Sequence, residues 1–372
     1  MHLVTFILIS ILPTLSVLGF PAQEPLQTSR RQPGKFYDIQ AHRGGRGNTV
    51  ENTIPSFAWG LIDGATTLEL DNGITKDGVV VVWHDENIVH TKCSDTSPAF
   101  PGDSDYPYVG KYIANLTLAQ LKTLDCGSKR QDAYPLQLTY TGTRISTLEE
   151  VFAFAECADP QRQILWNIES KIDALHPNRT LGVQDFVRKQ YEIFAGSNYN
   201  NVITYQSFDW RTLIEMKKLN PTMPTSALVD DETAVMQDKG ISPWLAGIDL
   251  SRFNASTFGE RLAQAAHSIR ADILSPSAES YVSPEPDPTM AGYIPFTTKE
   301  MVDKAHELGL AVKPWTINRL NIVEQLMSWH VDGIITDYPN VVRRWAKQNG
   351  FHVAPKYPKQ RVLACLEQHT QT

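Results

Sequence analysis

Past residue 36 the chain alternates short apolar or β-branched runs with segments of helical period, and that alternation leaves few folds open. Strand candidates are Asp38–Ala41, Thr67–Asp71, Val79–Trp83, Ile164–Glu169, Val202–Tyr205, Thr225–Val229, Gly247–Leu250, Ala271–Leu274, Ala311–Thr316 and Gly333–Thr336. Helices fit Ile54–Leu61, Leu148–Glu156, Val183–Phe194, Trp210–Lys218, Phe258–His267 and Lys299–Leu308. Strands that alternate with helices predict an α/β fold around a parallel sheet. A barrel of such units accommodates a chain of 372 residues as one domain. The candidates outnumber the eight strands of such a barrel, so one or two are accessory.

Two stretches break the alternation. Only seven residues, Asn72 to Gly78, separate two strand candidates, whereas a parallel crossover takes about a dozen or more. The chain is therefore expected to turn back locally through Lys76-Asp77-Gly78. The other stretch, His90 to Thr143, is rich in Pro, Gly, Ser, Asp and Tyr, with one short helical piece near Leu118–Leu124. An irregular segment of that length between barrel elements reads as a functional insertion.

The N-terminus argues for export. Leu3 to Phe20 is nearly all apolar, and small residues at Gly19 and Ala22 offer cleavage points, although no positive charge precedes the run. An uncleaved anchor is the competing reading. The expected layout is a signal peptide over 1–22, a linker or pro-segment over 23–36, the barrel over 37–350 with its insertion at 90–143, and a tail over 351–372. Three sequons, at Asn115, Asn178 and Asn254, agree with a secreted, extracellular chain. The four cysteines, Cys93, Cys126, Cys157 and Cys365, lack metal-ligand spacing and allow three pairings. Cys93 with Cys126 is favoured because that bond staples the irregular segment, leaving Cys157 with Cys365. The net charge of −7 gives no basic field for nucleic acid. A bound phosphate must be met by local cations.

Candidate chemistry sits at strand ends. In Thr67-Leu-Glu69-Leu-Asp71, Leu68 and Leu70 face the apolar layer and Glu69 and Asp71 share the other face. Two adjacent carboxylates repel unless protonated or bridged by a cation, and a hard ion such as Mg²⁺ or Ca²⁺ is the natural bridge. Solvated charges on an edge strand are the bland alternative. A second strand repeats the pattern with Asn167, Glu169 and Lys171, where Glu169 extends the ligand set and Lys171 suits a phosphate oxygen. His42-Arg43-Gly44 and His84-Asp85 each close an apolar strand. Two imidazoles can divide the base and acid roles of phosphodiester cleavage, and Arg43 offers a fork for two phosphate oxygens.

Taken in order, Ala41-His-Arg-Gly44, Glu51-Asn-Thr53, Leu68-Glu-Leu-Asp71, Thr75-Lys-Asp-Gly78 and His84-Asp85 resemble the signature of the glycerophosphodiester phosphodiesterase family. Asn167-Ile-Glu169-Ser-Lys171, Trp315-Thr-Ile-Asn318 and Asp332-Gly-Ile-Ile-Thr-Asp337-Tyr-Pro339 continue the likeness over nearly the whole chain after residue 36. The resemblance implies a TIM (β/α)8 barrel with the insertion over its active-site face. It implies one divalent cation, Mg²⁺ or Ca²⁺, on Glu69, Asp71 and Glu169, with His42 and His84 as the acid/base pair. Arg43 and Lys171 would neutralise the phosphate, Glu51 would orient the site, and Trp315 would line the substrate pocket. The implied partner is a small glycerophosphodiester, with no nucleic acid and no stable membrane anchor. Three departures are local: Val50 replaces a Pro, Asn72-Gly73 replaces an apolar residue after the metal-binding Asp, and Ser170 replaces an apolar residue. The rival readings are a lyase of the sphingomyelinase D type acting on choline lipids, and a secreted barrel without activity.

Overall fold

In the computed structural model, residues 36–235 and 241–370 are described. The expected signal peptide lies outside them, as does all of the linker except Phe36. The strands are β1 (Asp38–Ala41), β2 (Thr67–Ile74), β3 (Val80–Val82), β4 (Leu165–Ser170), β5 (Ile203–Ser207), β6 (Thr225–Val229), β7 (Ile273–Pro276), β8 (Ala311–Val312) and β9 (Gly333–Thr336). Eight of them run parallel in the order β8-β7-β6-β5-β4-β2-β1-β9. The ring closes where Asp332 N donates to Val312 O (2.8 Å), Ile335 N to Pro314 O (3.1 Å) and Ile317 N to Ile335 O (2.9 Å). The fold is thus a nearly closed eight-stranded α/β barrel, as the alternating pattern predicts.

Both faces of that ring follow from side-chain alternation. Leu68, Leu70, Trp166, Ile168, Tyr205, Ala227 and Leu274 are buried in the apolar layer between strands and helices. Their neighbours fill the interior with polar groups that hydrogen-bond to one another. Lys313 Nζ and Gln40 Nε2 donate to Asp38 Oδ2 at 2.7 and 2.8 Å. Asn167 Nδ2 donates to Gln40 Oε1 and to Gln206 Oε1, both at 2.8 Å. Gln206 Nε2 then donates to Glu69 Oε1 at 2.8 Å. A hydrogen-bonded column therefore rises through the barrel and ends on a candidate metal ligand.

Two of the ten strand candidates are not barrel staves. β3 pairs antiparallel with β2, Ile74 opposite Val80, and the chain reverses through Gly78 at φ +83°, where an L side chain would be strained. Asn72 and Gly73 belong to this hairpin: Asn72 Nδ2 donates to Val81 O, and Gly73 lies against Ile113. Gly247–Leu250 is not a strand. Ala246 and Gly247 have φ of +57° and +75°, and Asp249 caps a short 3-10 turn over Leu250–Arg252. A chain in that conformation cannot run extended. Further helices at Leu320–Ser328, Pro339–Gln348 and Lys359–Thr370 complete the outer layer.

The insertion has its own small core of Trp83, Ile88, Tyr108, Ile113, Leu116, Leu121 and Leu124. Cys93–Cys126 clips it, and Cys157–Cys365 ties the last helix to the helix Leu148–Ala158. No helix among the described residues is long and apolar enough to cross a membrane.

Candidate active site

The C-terminal ends of β1, β2 and β4 bring the charged residues together. The register sets Asp71 of β2 opposite Glu169 of β4 and Glu69 opposite Asn167. Oxygens of Glu69, Asp71 and Glu169 lie within 4.8 Å of one another, and all three residues are buried. Burial, reinforced by Asp71 and Glu169, pushes the Glu69 carboxyl well above its ordinary range. Burial likewise lifts Glu169 to about 7, against the opposing pull of Lys171. Burial also opposes ionisation of Asp71, but its neighbours His84, Arg43 and Lys171 hold it below the usual carboxylate range.

The turn after β1 shapes the next part. Arg43 sits at φ +51° in the turn His42–Gly44, a left-handed conformation that costs a non-glycine residue about 1 kcal/mol or more. Its backbone N–H donates to Glu69 Oε2 at 2.7 Å, which helps to hold it there. Gly44 follows at φ +82°, and a Cβ there would meet Ser56 Oγ at 2.3 Å. The Arg43 guanidinium reaches Glu51 Oε1 at 3.1 Å and Asp71 Oδ2 at 3.4 Å. Burial opposes its charge, but Glu51, Asp71 and Glu69 more than offset that. Glu51 also receives Lys92 at 2.7 Å. Burial opposes ionisation of Glu51, yet Arg43, Lys92 and Arg46 hold it well below its ordinary range.

The two histidines are held at Nδ1. His42 Nδ1 lies 2.6 Å from Asp337 Oδ1. A carboxylate only accepts, so Nδ1 carries the proton and Nε2 keeps its lone pair. Asp337 is fully buried and also receives Arg46 Nε (2.8 Å), Tyr134 OH (2.8 Å) and Asn318 Nδ2 (2.7 Å). Burial first, and then the Arg46 charge, bring His42 down to about 4 despite Asp337. His84 Nδ1 faces Asp85 at 3.2 Å, while Lys171 Nζ lies 3.2 Å from its Nε2 and 2.7 Å from Glu169 Oε1. Burial, Arg43 and Lys171 hold His84 well below its ordinary range.

Thus His42, Arg43, Glu51, Glu69, Asp71, His84, Glu169 and Lys171 form one constellation. Trp315 adjoins it through Phe208, whose ring meets the indole edge to face at 5.3 Å and lies 5.6 Å from Lys171 Nζ. Other neighbours had no role in the sequence reading. Asn52 donates to Asp71 Oδ2 at 2.7 Å, and Gln206 supports Glu69. Lys92 and Tyr134 come from the insertion, and Asp337 closes β9. The signal for Asp337 was its place: a lone carboxylate after the apolar run Gly333–Thr336 at the C-terminal end of a barrel strand.

Three crowded carboxylates, two of them, Glu69 and Glu169, with lifted proton affinities, suit a hard cation. Asp71 Oδ1 is buried without a hydrogen-bond partner, which a coordinated ion would supply. The residues present therefore fit a divalent metal.

A sequence profile of the glycerophosphoryl diester phosphodiesterase family matches residues 42–341. A glycerophosphodiester phosphodiesterase of Caldanaerobacter subterraneus is 26% identical over 313 residues, covering 84% of this chain and 98% of its own. One from Bacillus subtilis is 26% identical over 337 residues, 90% of this chain and 94% of the relative. An Oleispira antarctica phosphodiesterase, solved in complex with the product sn-glycerol-3-phosphate, superposes with a TM-score of 0.58 at 20% identity, covering 84% of this chain and 97% of that one. With a profile match that spans the barrel from His42 to Val341, the chain belongs to the glycerophosphoryl diester phosphodiesterase family.

Proposed function

We propose that this enzyme hydrolyses glycerophosphodiesters to glycerol 3-phosphate and an alcohol, with Glu69, Asp71 and Glu169 holding one Mg²⁺ or Ca²⁺ and with His42 and His84 as the acid/base pair. The observation that carries the proposal is the meeting of three buried carboxylates with two neutral, oriented imidazoles at one barrel mouth. When bound, the cation would supply Lewis-acid polarisation of the phosphoryl group. Arg43 and Lys171 would neutralise the phosphate oxygens, and Glu51 with Lys92 would hold the Arg43 fork in place. His42, its Nδ1–H committed to Asp337, presents Nε2 for a proton. His84, between Asp85 and Lys171, is the second proton carrier. The negative charge of an arriving diester raises the proton affinity of both rings, so one can act as the acid.

Family membership and the named activities of the two bacterial relatives favour this reading over a choline-lipid lyase or an inactive barrel. Export is part of the proposal. Its support is the pair of disulfides and the exposure of Asn115, Asn178 and Asn254, where glycans could be carried. Release of glycerol 3-phosphate from glycerophosphocholine by the purified protein tests the activity. A panel of deacylated diesters left intact, with sphingomyelin consumed instead, would favour the lyase.

A further inference from the structure

Each imidazole of the mouth rests on a carboxylate, and the insertion reaches the far oxygen of both carboxylates. Asp337 Oδ1 faces His42 Nδ1 at 2.6 Å, while Tyr134 OH donates to Oδ2 at 2.8 Å. Asp85 Oδ1 faces His84 Nδ1 at 3.2 Å, while Lys92 Nζ donates to Oδ2 at 2.5 Å. His42 follows β1 and His84 follows β3. One irregular segment therefore serves the ends of two different strands.

Both donors are fixed from within the insertion. Tyr134 is buried, and the Arg46 guanidinium lies 5.1 Å from the centre of its ring. The chain beyond it is seated on the turn after β1: Gln137 Nε2 donates to Arg46 O at 2.7 Å, Leu138 N to Asn48 O at 2.8 Å and Val50 N to Leu138 O at 3.0 Å. Lys92 Nζ lies over the Trp83 ring, 5.6 Å from its centre. The next residue, Cys93, is bonded to Cys126, and Lys129 Nζ donates to Cys93 O at 2.8 Å.

A neutral imidazole has two tautomers, and its ring can face either way about the bond that carries it. Only one combination points the Nε2 lone pair at a substrate. A carboxylate held at a single oxygen can swing, and the ring swings with it. A donor on the second oxygen removes that freedom, and hydrogen bonds to an ionised carboxylate are the strong ones. Asn318 Nδ2 shares Asp337 Oδ2 with Tyr134, at 2.7 Å. Among the described residues, no second donor joins Lys92 on Asp85 Oδ2. His84 therefore depends on the insertion more heavily than His42 does.

We propose that the insertion orients both proton carriers, Tyr134 acting on His42 through Asp337 and Lys92 acting on His84 through Asp85. Tyr134 and Lys92 are positioning residues, because neither carries the transferred proton. The contact of Lys92 with Glu51 is separate and belongs to the phosphate side. These roles rest on the hydrolase reading above, and they give residues 90–143 a part in the proton transfers.

Tyr134→Phe keeps the ring against Arg46 and removes the hydroxyl, and Lys92→Met keeps the stem and removes the ammonium. With glycerophosphocholine and the full chain supplied with Mg²⁺, kcat should fall about tenfold in Tyr134→Phe and further in Lys92→Met. KM should hold in Tyr134→Phe, since no substrate contact is lost. Ring nitrogen NMR signals, assigned with His42→Ala and His84→Ala, report tautomer and orientation directly. Tyr134→Phe should move the His42 signals and leave those of His84, and Lys92→Met should do the reverse. Wild-type kcat in either variant overturns the role of that residue. Lost kcat with unmoved ring signals, or both rings moving in either variant, overturns the pairing. A wild type that turns over no deacylated diester overturns the hydrolase reading instead, and the ring signals, which need no substrate, still test the positioning.

Discussion

Asp71 and Glu169 are register partners on two adjacent parallel strands, and both carboxylates are buried at the same end of the barrel. Two anions in that relationship destabilise the fold unless a proton or a cation lies between them. Added Mg²⁺ or Ca²⁺ at about 100 times its Kd should therefore stabilise the EDTA-treated protein by about 2.7 kcal/mol. Asp71→Asn should remove most of that gain. Thermal unfolding with and without ion reads the effect, and an equal gain in the variant would place the ion elsewhere.

His42→Ala and His84→Ala should each lower kcat by roughly 10²–10⁴-fold through lost proton transfer. The circular dichroism of both variants should match the wild type, because neither ring belongs to the apolar core. Wild-type turnover in either variant would end its assignment.

Burial, helped by Arg46, lowers His42 from 6.5 to about 4. Between those values the unfolded chain binds the extra proton and the folded chain does not. The contribution to stability is thus complete above pH 6.5 and falls as the pH drops toward 4, by about 3 kcal/mol in all. In His42→Gln that share of the acid destabilisation should vanish. Urea unfolding of both proteins at about pH 7 and about pH 4.5 measures it. An unchanged difference would mean that His42 is already charged in the native state.

The Cys157–Cys365 bond closes a separation of 208 residues, against 33 for Cys93–Cys126. Loop-closure entropy grows only logarithmically with length, so loss of the longer closure releases somewhat more chain entropy, and Cys365→Ser should destabilise by about 2–4 kcal/mol. Urea titration checks this, and hydrogen exchange should show the helix Lys359–Thr370 opening first.

The barrel and most of its charged mouth were legible because β2 and β4 alternate apolar and charged residues strictly, which assigns each side chain a face. Gly247–Leu250 misled because its β-branched and apolar content fits a strand, while the left-handed Ala246 and Gly247 forbid one. The helix Lys359–Thr370 was not foreseen: only Val362, Cys365 and Leu366 are buried along it, too few to mark a face. Asp337 lies 295 residues from His42, and their pairing arises only when the barrel closes. Lys92 and Tyr134 come from an irregular segment, where no period reveals which way a side chain points.

Hydrolysis of glycerophosphocholine after EDTA treatment, in wild type and Asp71→Asn, bears on the central claim most directly. The account predicts that wild-type release of glycerol 3-phosphate stops with EDTA and returns with Mg²⁺ or Ca²⁺, while Asp71→Asn stays inactive with either ion. Full activity in EDTA, or an Asp71→Asn protein that responds to the ion as the wild type does, would contradict it.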